Sequence, residues 1–227
     1  ISNVNGNVAN GGSGGGIQDT YNRDADKAIM SNDRTHILKA AMTWEIPVGR
    51  NRMFLGSVNR WVDAIVGGWN LSGLINYMSG TPLGHPGSRV TPNYWNGPGI
   101  YANFNTPSGG FKQIFNPDTF NPWNPNDPGN RYFDPKAFTD AAPQSLGNSP
   151  NRFPQVRSLW SWNEDATLSK NFALTERARL MFRLEMFNLF NRHYFGGPNM
   201  SLSNAYFGNV TSASGRRTGQ LTGRIEW

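Results

Sequence analysis

THILKAAMTWEI, residues 35–46, decides the fold. His36, Leu38, Ala40, Met42, Trp44 and Ile46 fall on one side of an extended chain. Thr35, Lys39, Thr43 and Glu45 fall on the other, with Ile37 and Ala41 as exceptions. A repeat of two marks a β-strand, because successive side chains leave a pleated backbone on opposite faces. Pro47 and Gly49 end the run, since proline has no N–H for a ladder. A usual globular strand has about five or six residues, whereas a tilted strand needs about 9–11 to cross a bilayer. This one reaches the second length.

Four further segments repeat the pattern. At 67–79, Trp69, Leu71, Gly73, Ile75 and Tyr77 oppose Asn70, Ser72 and Asn76, with Leu74 and Met78 as exceptions. At 160–172, Trp160, Trp162, Ala166, Leu168 and Phe172 oppose Asn163, Asp165, Thr167, Ser169 and Asn171. Glu164 and Lys170 break that apolar face near its ends, where a charge is cheaper than at a bilayer midplane. At 177–190, Ala178, Leu180, Phe182, Leu184 and Met186 oppose Arg177, Arg179, Arg183 and Glu185, with Met181 as the exception. That segment is rich in helix formers and Thr175 suits a cap. The link at 174–176 is very short, which favours a strand hairpin. At 217–227, Gly219, Leu221, Gly223, Ile225 and Trp227 alternate with Gln220, Thr222, Arg224 and Glu226.

The polar faces carry more charge than a soluble core tolerates unpaired. Apolar-out and polar-in is the arrangement of a membrane barrel, and aromatics near the strand ends match its girdles. A soluble β-sandwich with the apolar face inward has the same period, so periodicity alone leaves both open. Strand length and the alternation of short and long connections favour the barrel. The expected fold class is all-β, an antiparallel transmembrane β-barrel segment of about five long strands.

The connections differ in kind. Residues 1–34 read as a loop, with GGSGGG at 11–16. No strand before it and no helix after it support a phosphate-binding reading. Within 50–66, WVDAIV (61–66) suits a short helical turn. Residues 80–159 are dense in Pro, Asn, Gly and aromatics and read as a long extracellular loop. Residues 191–216 form a second loop rich in Gly, Asn and Ser.

Composition agrees. Hydrophobic residues make up 37% of the 227, yet there are 14 Phe, 8 Trp and 7 Tyr, with 26 Gly and 15 Pro to punctuate them. The net charge of +6 is scattered, and its longest basic run is Arg216-Arg217. No nucleic-acid footprint is expected from that pattern. The absence of cysteine removes a disulfide framework and thiolate metal sites. His36, His85 and His193 show no ligand spacing. NPNDPGN (124–130) puts Pro where a calcium loop needs ligands, so it reads as a turn. No nucleophile motif of the G-x-S-x-G kind appears. The chain is therefore expected to be no enzyme and to need no cofactor. No stretch suits a membrane-spanning helix. The chain starts at Ile1 without a signal peptide, so a fragment or processed piece is expected.

Two groups of residues are candidates for binding. Tyr94, Trp95, Tyr101, Phe104 and Trp123 lie in the long loop. They can stack on sugars or aromatic ligands, or pack the loop on itself, the plainer reading. Arg177, Arg179 and Arg183, with Glu185, fall on the polar face. Pairing with neighbouring acids is their plain role, and an anion-attracting path the sharper one. Leu221, Ile225 and Trp227 share the apolar side of the last strand.

Several segments resemble one family. NDRTHILKAAMTWEIPVGRNRMFL (32–55), IVGGWNLSGLINYMSGTPL (65–83), YFDPKAFTDAAPQSLGNSPNRF (132–153), DATLSKNFALTERARLMFRLEMFNLFNRHYFGGPN (165–199) and FGNVTSASGRRTGQLTGRIEW (207–227) resemble TonB-dependent receptors of the Oar-like type, which carry a carboxypeptidase-regulatory-like domain. The resemblance implies the C-terminal part of a 22-stranded barrel in the outer membrane of a Gram-negative cell. It implies uptake of a ligand such as an oligosaccharide, siderophore or peptide, energised by TonB through an N-terminal part and plug not visible here. Outer-membrane lipid and the outer-membrane assembly machinery are the other implied partners, with Leu221, Ile225 and Trp227 as the assembly signal. The family often ends in Phe, where this chain has Trp227. With the C-terminus in the periplasm, 47–66 and 173–176 fall on the periplasmic side and 80–159 and 191–216 outside. The alternative is a secreted, aromatic-rich β-sandwich that binds carbohydrate.

Overall fold

A computed structural model describes residues 18–19, 21–22, 24–90, 100–106, 110–175 and 177–227. Five long strands form one sheet: β1 (Ile37–Glu45), β2 (Trp69–Met78), β3 (Ser161–Ala173), β4 (Arg179–Phe187) and β5 (Thr218–Glu226). Each pairs antiparallel with the next in sequence, so the sheet is a simple meander with β1 and β5 as its edges. The helix formers of β4 are overridden by pairing on both sides, where Leu184 faces Leu168 on one neighbour and Leu221 on the other.

The register carries the alternation across the whole sheet. Trp44, Leu71, Leu168, Leu184 and Leu221 form one row through all five strands. Thr43, Ser72, Thr167, Glu185 and Gln220 form the adjacent row on the opposite face. A slip of one residue would exchange the two faces, so the five patterns fix one another.

No apolar side chain of these strands is buried. Leu38, Met42, Trp44, Leu221 and Ile225 are exposed by 51–65%. Trp69, Leu71, Leu180, Phe182 and Leu184 are half-buried, with neighbours on both flanking strands. A sandwich would have sealed these faces against a second sheet, so the sandwich reading falls. Within these five strands the buried side chains are instead two charges, Glu164 and Lys170. Glu164 accepts hydrogen bonds from Tyr77 Oη at 2.6 Å and Arg192 Nη2 at 3.0 Å. Lys170 Nζ donates to the Ile65 carbonyl at 3.0 Å and lies over the Trp69 and Phe172 rings.

The strands and their short connections form one compact unit (His36–Met78, Ser161–Tyr194, Gly215–Trp227). The connection between β1 and β2 contains α1 (Arg60–Val66), the helical turn expected at 61–66. β3 turns into β4 with the Leu174 N–H donating to the Ala178 carbonyl.

The long connections, with the described part of the N-terminal segment, make a second compact unit. The 80–159 segment is irregular but not coreless. Short ladders join Pro82–Gly84 to Arg152–Arg157 and Asn103–Phe104 to Phe138–Thr139. Three 3-10 turns, Pro117–Thr119, Pro128–Asn130 and Pro135–Ala137, each begin at proline behind an Asn116, Asp127 or Asp134 cap. Proline presets the first backbone angle and the Asx side chain satisfies an orphan N–H. The turn expected at 124–130 is one of these. Tyr132, Phe133 and Phe153 are essentially sealed, and Phe111 packs 4.7 Å from Phe153 and 5.4 Å from both Phe133 and Phe138, ring to ring. Edge-to-face rings contribute about 0.5–1.5 kcal/mol per pair beyond area burial, so this unit has a real core of its own.

Candidate functional site

A concavity lies in that second unit. A pocket of about 340 Å³ is lined by Gly110, Phe111, Lys112, Ile114, Arg131, Asp134 and Lys136. Its volume lies at the lower end of the range for small-molecule sites, about 300–1,000 Å³. Its floor is held by the Phe core through Phe111. Its walls are fixed by backbone bonds: Ile114 N–H to the Tyr132 carbonyl at 2.8 Å, and Arg131 N–H to the Pro128 carbonyl at 3.2 Å. Asp134 accepts from Lys136 N–H at 3.0 Å, which sets the turn carrying Lys136. Three cationic residues and one carboxylate thus line the pocket beside Phe111 and Ile114. Lys112, Arg131 and Lys136 form no ion pair among the described residues. An unneutralised cationic pocket with an aromatic base favours an anionic ligand that has a ring or an apolar face.

A buried polar network lies elsewhere in the same unit. Tyr101 Oη donates to Asp26 Oδ1 at 2.8 Å and accepts from Asn151 Nδ2 at 2.9 Å. Gln18 Oε1 accepts from Tyr101 N–H at 2.6 Å. Burial, aided by Asp26, pushes the Tyr101 phenol well above its ordinary range. The His85 ring packs on Tyr101 with centroids 3.7 Å apart. His85 Nδ1 lies 3.0 Å from the Pro86 carbonyl, an acceptor, so Nδ1 carries the proton. His85 Nε2 is buried without a partner among the described residues, and burial lowers the imidazole pKa.

The candidates read from sequence fall in different places. Trp123 is 93% exposed on the second unit, whereas Tyr101 is buried and Phe104 packs against the Phe core. Tyr94 and Trp95 lie outside the described residues. Arg183 pairs with Glu185 at 2.9 Å, and Arg179 stands opposite Glu226 in the ladder, while Arg177 belongs to the turn before β4. The three arginines are therefore spread along one strand and its turn, with one already neutralised. Leu221 and Ile225 sit on the apolar side of edge strand β5, and Trp227 follows it at 94% exposure. Among the described residues no group of His, Cys, Asp and Glu has the makings of a metal site. Lys112, Arg131 and Lys136 carry no periodic or motif signal, and only the fold of the irregular segment brings them together.

No described helix is long and apolar enough to cross a membrane, so any crossing rests on the strands. No curated protein and no solved structure matches the chain. The sequence model of the outer membrane beta barrel domain does match, over residues 1–220. A continuous apolar face exposed across five long meandering strands is the arrangement that such a domain requires, and the chain belongs to this outer-membrane β-barrel family.

Proposed function

We propose that this outer-membrane protein is part of a TonB-dependent receptor, in which the folded unit between the strands captures an anionic ligand outside the cell and the barrel passes it inward. The observation that carries the reading is the Lys112, Arg131 and Lys136 pocket on a separately cored unit. A plain barrel has no use for a long excursion whose described residues form a packed interior of their own, and long loops are usually functional. The open edges at β1 and β5 support membership of a larger barrel. Unpaired backbone groups are not tolerated in lipid, and five strands do not close a barrel. The segment resemblances support energy coupling through TonB and an oligosaccharide, siderophore or peptide as the ligand, and the cationic lining of the pocket favours one that bears negative charge.

The test uses the full-length gene product in a Gram-negative outer membrane. Retention by the periplasmic domain of TonB, strengthened when the outer pocket is filled, is expected. A correctly inserted product that TonB does not retain overturns the coupled-transport reading.

A further inference from the structure

The connection between β1 and β2 holds its large apolar side chains in the open. Met53, Trp61 and Ile65 are exposed by 82, 78 and 70%, and Phe54, Leu55 and Val62 are exposed too. The segment is nevertheless firmly built. The Asn59 side chain caps α1 by accepting from Trp61 N–H and Val62 N–H at 3.1 and 2.9 Å. Asp63 Oδ1 accepts from Arg50 N–H at 2.6 Å. Gly49 and Gly67 close around Asp63 so tightly that a Cβ on either would lie 2.5 Å from its carboxylate, and Gly49 has φ +120°. A rigid connection that directs six large apolar side chains away from protein calls for apolar surroundings.

The position of α1 identifies those surroundings. Trp69 Nε1 and Lys170 Nζ both donate to the Ile65 carbonyl, at 2.9 and 3.0 Å. Trp69 and Lys170 are ladder partners, in phase with Leu71 and Leu168 on the apolar face. The C-terminal end of α1 is therefore fastened to the lipid-facing side of the wall, at its margin. Trp61 and Ile65 are four residues apart on one helix face, and Val62 is exposed as well, whereas Asp63 and Val66 are half-buried. Arg50 and Arg60 lie in the same connection and form no ion pair among the described residues. The Arg60 guanidinium stands 6.0 Å from the Trp61 ring. An apolar face continuous with a lipid-facing wall and rimmed by free arginines matches an anionic lipid interface.

We propose that α1 and residues 53–55 are an interfacial anchor, seated among the headgroups of the phospholipid leaflet on the periplasmic side, with Arg50 and Arg60 on anionic phosphates. Trp61, Val62 and Ile65 enter the acyl boundary, and the Asp63 lock fixes the height of the wall in the bilayer. Assignment to that leaflet rests on the reading above that short connections are periplasmic.

These 227 residues hold no cysteine, so Ile65→Cys, with any cysteine elsewhere in the full protein replaced by serine, places one nitroxide on it in phosphatidylglycerol vesicles. The label is expected to be open to oxygen and shielded from a water-soluble nickel complex, at a depth of about 5–10 Å. The same label on Asn126→Cys supplies the water-exposed reference. Arg50→Gln with Arg60→Gln should lower the ratio of shielded to open label by about fivefold per arginine in phosphatidylglycerol and leave it unchanged in phosphatidylcholine. These changes are at the surface and spare the Asp63 lock. Nickel access at Ile65 equal to that at Asn126 overturns the anchor. Sidedness is read separately, by a membrane-impermeant maleimide on intact cells that carry Ser57→Cys. Protection supports the periplasmic leaflet, whereas reaction overturns that assignment even if Ile65 proves shielded.

Discussion

Lys112, Arg131 and Lys136 matter because they form no ion pair among the described residues. Asp134 is already engaged as a turn cap, so the pocket keeps an excess of positive charge for a ligand. With citrate as the probe, Lys112→Ala, Arg131→Ala and Lys136→Ala together are expected to lower affinity at least tenfold in calorimetry, since one charge-assisted hydrogen bond contributes about 1.5–3 kcal/mol. Asp134→Asn should have the opposite effect, because asparagine still caps the turn while removing the opposing charge. His85 makes a second prediction. Its unfolded pKa is near 6.5 and burial lowers the folded value, so below pH 6.5 the unfolded chain binds more protons than the folded one. Stability of the second unit should therefore fall as pH drops through that window and level off below the folded pKa. His85→Phe should flatten a melting curve series recorded from pH 8 to 5. Neither site was legible beforehand, since the convergence of Lys112 with Arg131, and of His85 with Tyr101, depends on an irregular fold that has no repeat to read.

At the scale of elements, alternation was nearly sufficient. The strand expected at 35–46 forms over Ile37–Glu45 and that at 160–172 over Ser161–Ala173, with the ends frayed by a residue or two. Period-two patterning constrains every residue of a long strand, which is why it survived even in β4, where helix propensity argues the other way. What alternation could not show is how Glu164 and Lys170 are accommodated, because Arg192 and Ile65, which hold them, come from connections. Arg192→Ala should expose that dependence. It removes the hydrogen bonds of a partly exposed pair whose carboxylate is buried, and a loss of about 1–3 kcal/mol in urea unfolding from vesicles is expected. Adding Glu164→Gln should restore most of it, the outcome of a double-mutant cycle in which the lone charge is the penalty. The Phe core is testable in the same way. Phe153→Ala should destabilise the second unit by about 3–5 kcal/mol, seen as faster protease cleavage within 80–159 while the five strands stay protected.

At the scale of the molecule, one physical fact organises the rest. The apolar face of a five-stranded sheet is left uncovered, and an outer-membrane barrel gives that face lipid for a solvent. The basic aromatic connection joins that wall where the Ile65 carbonyl accepts from Trp69 and Lys170. The measurement that bears most directly on this is a cysteine scan of β1 with a bimane label, quenched by brominated phospholipid in reconstituted full-length protein. Labels at Leu38, Ala40, Met42 and Trp44 should be strongly quenched, and those at Lys39, Ala41 and Thr43 should be weakly quenched and reached instead by aqueous iodide. Quenching with no period of two, or with the two sets exchanged, would contradict the assignment of the apolar face to lipid.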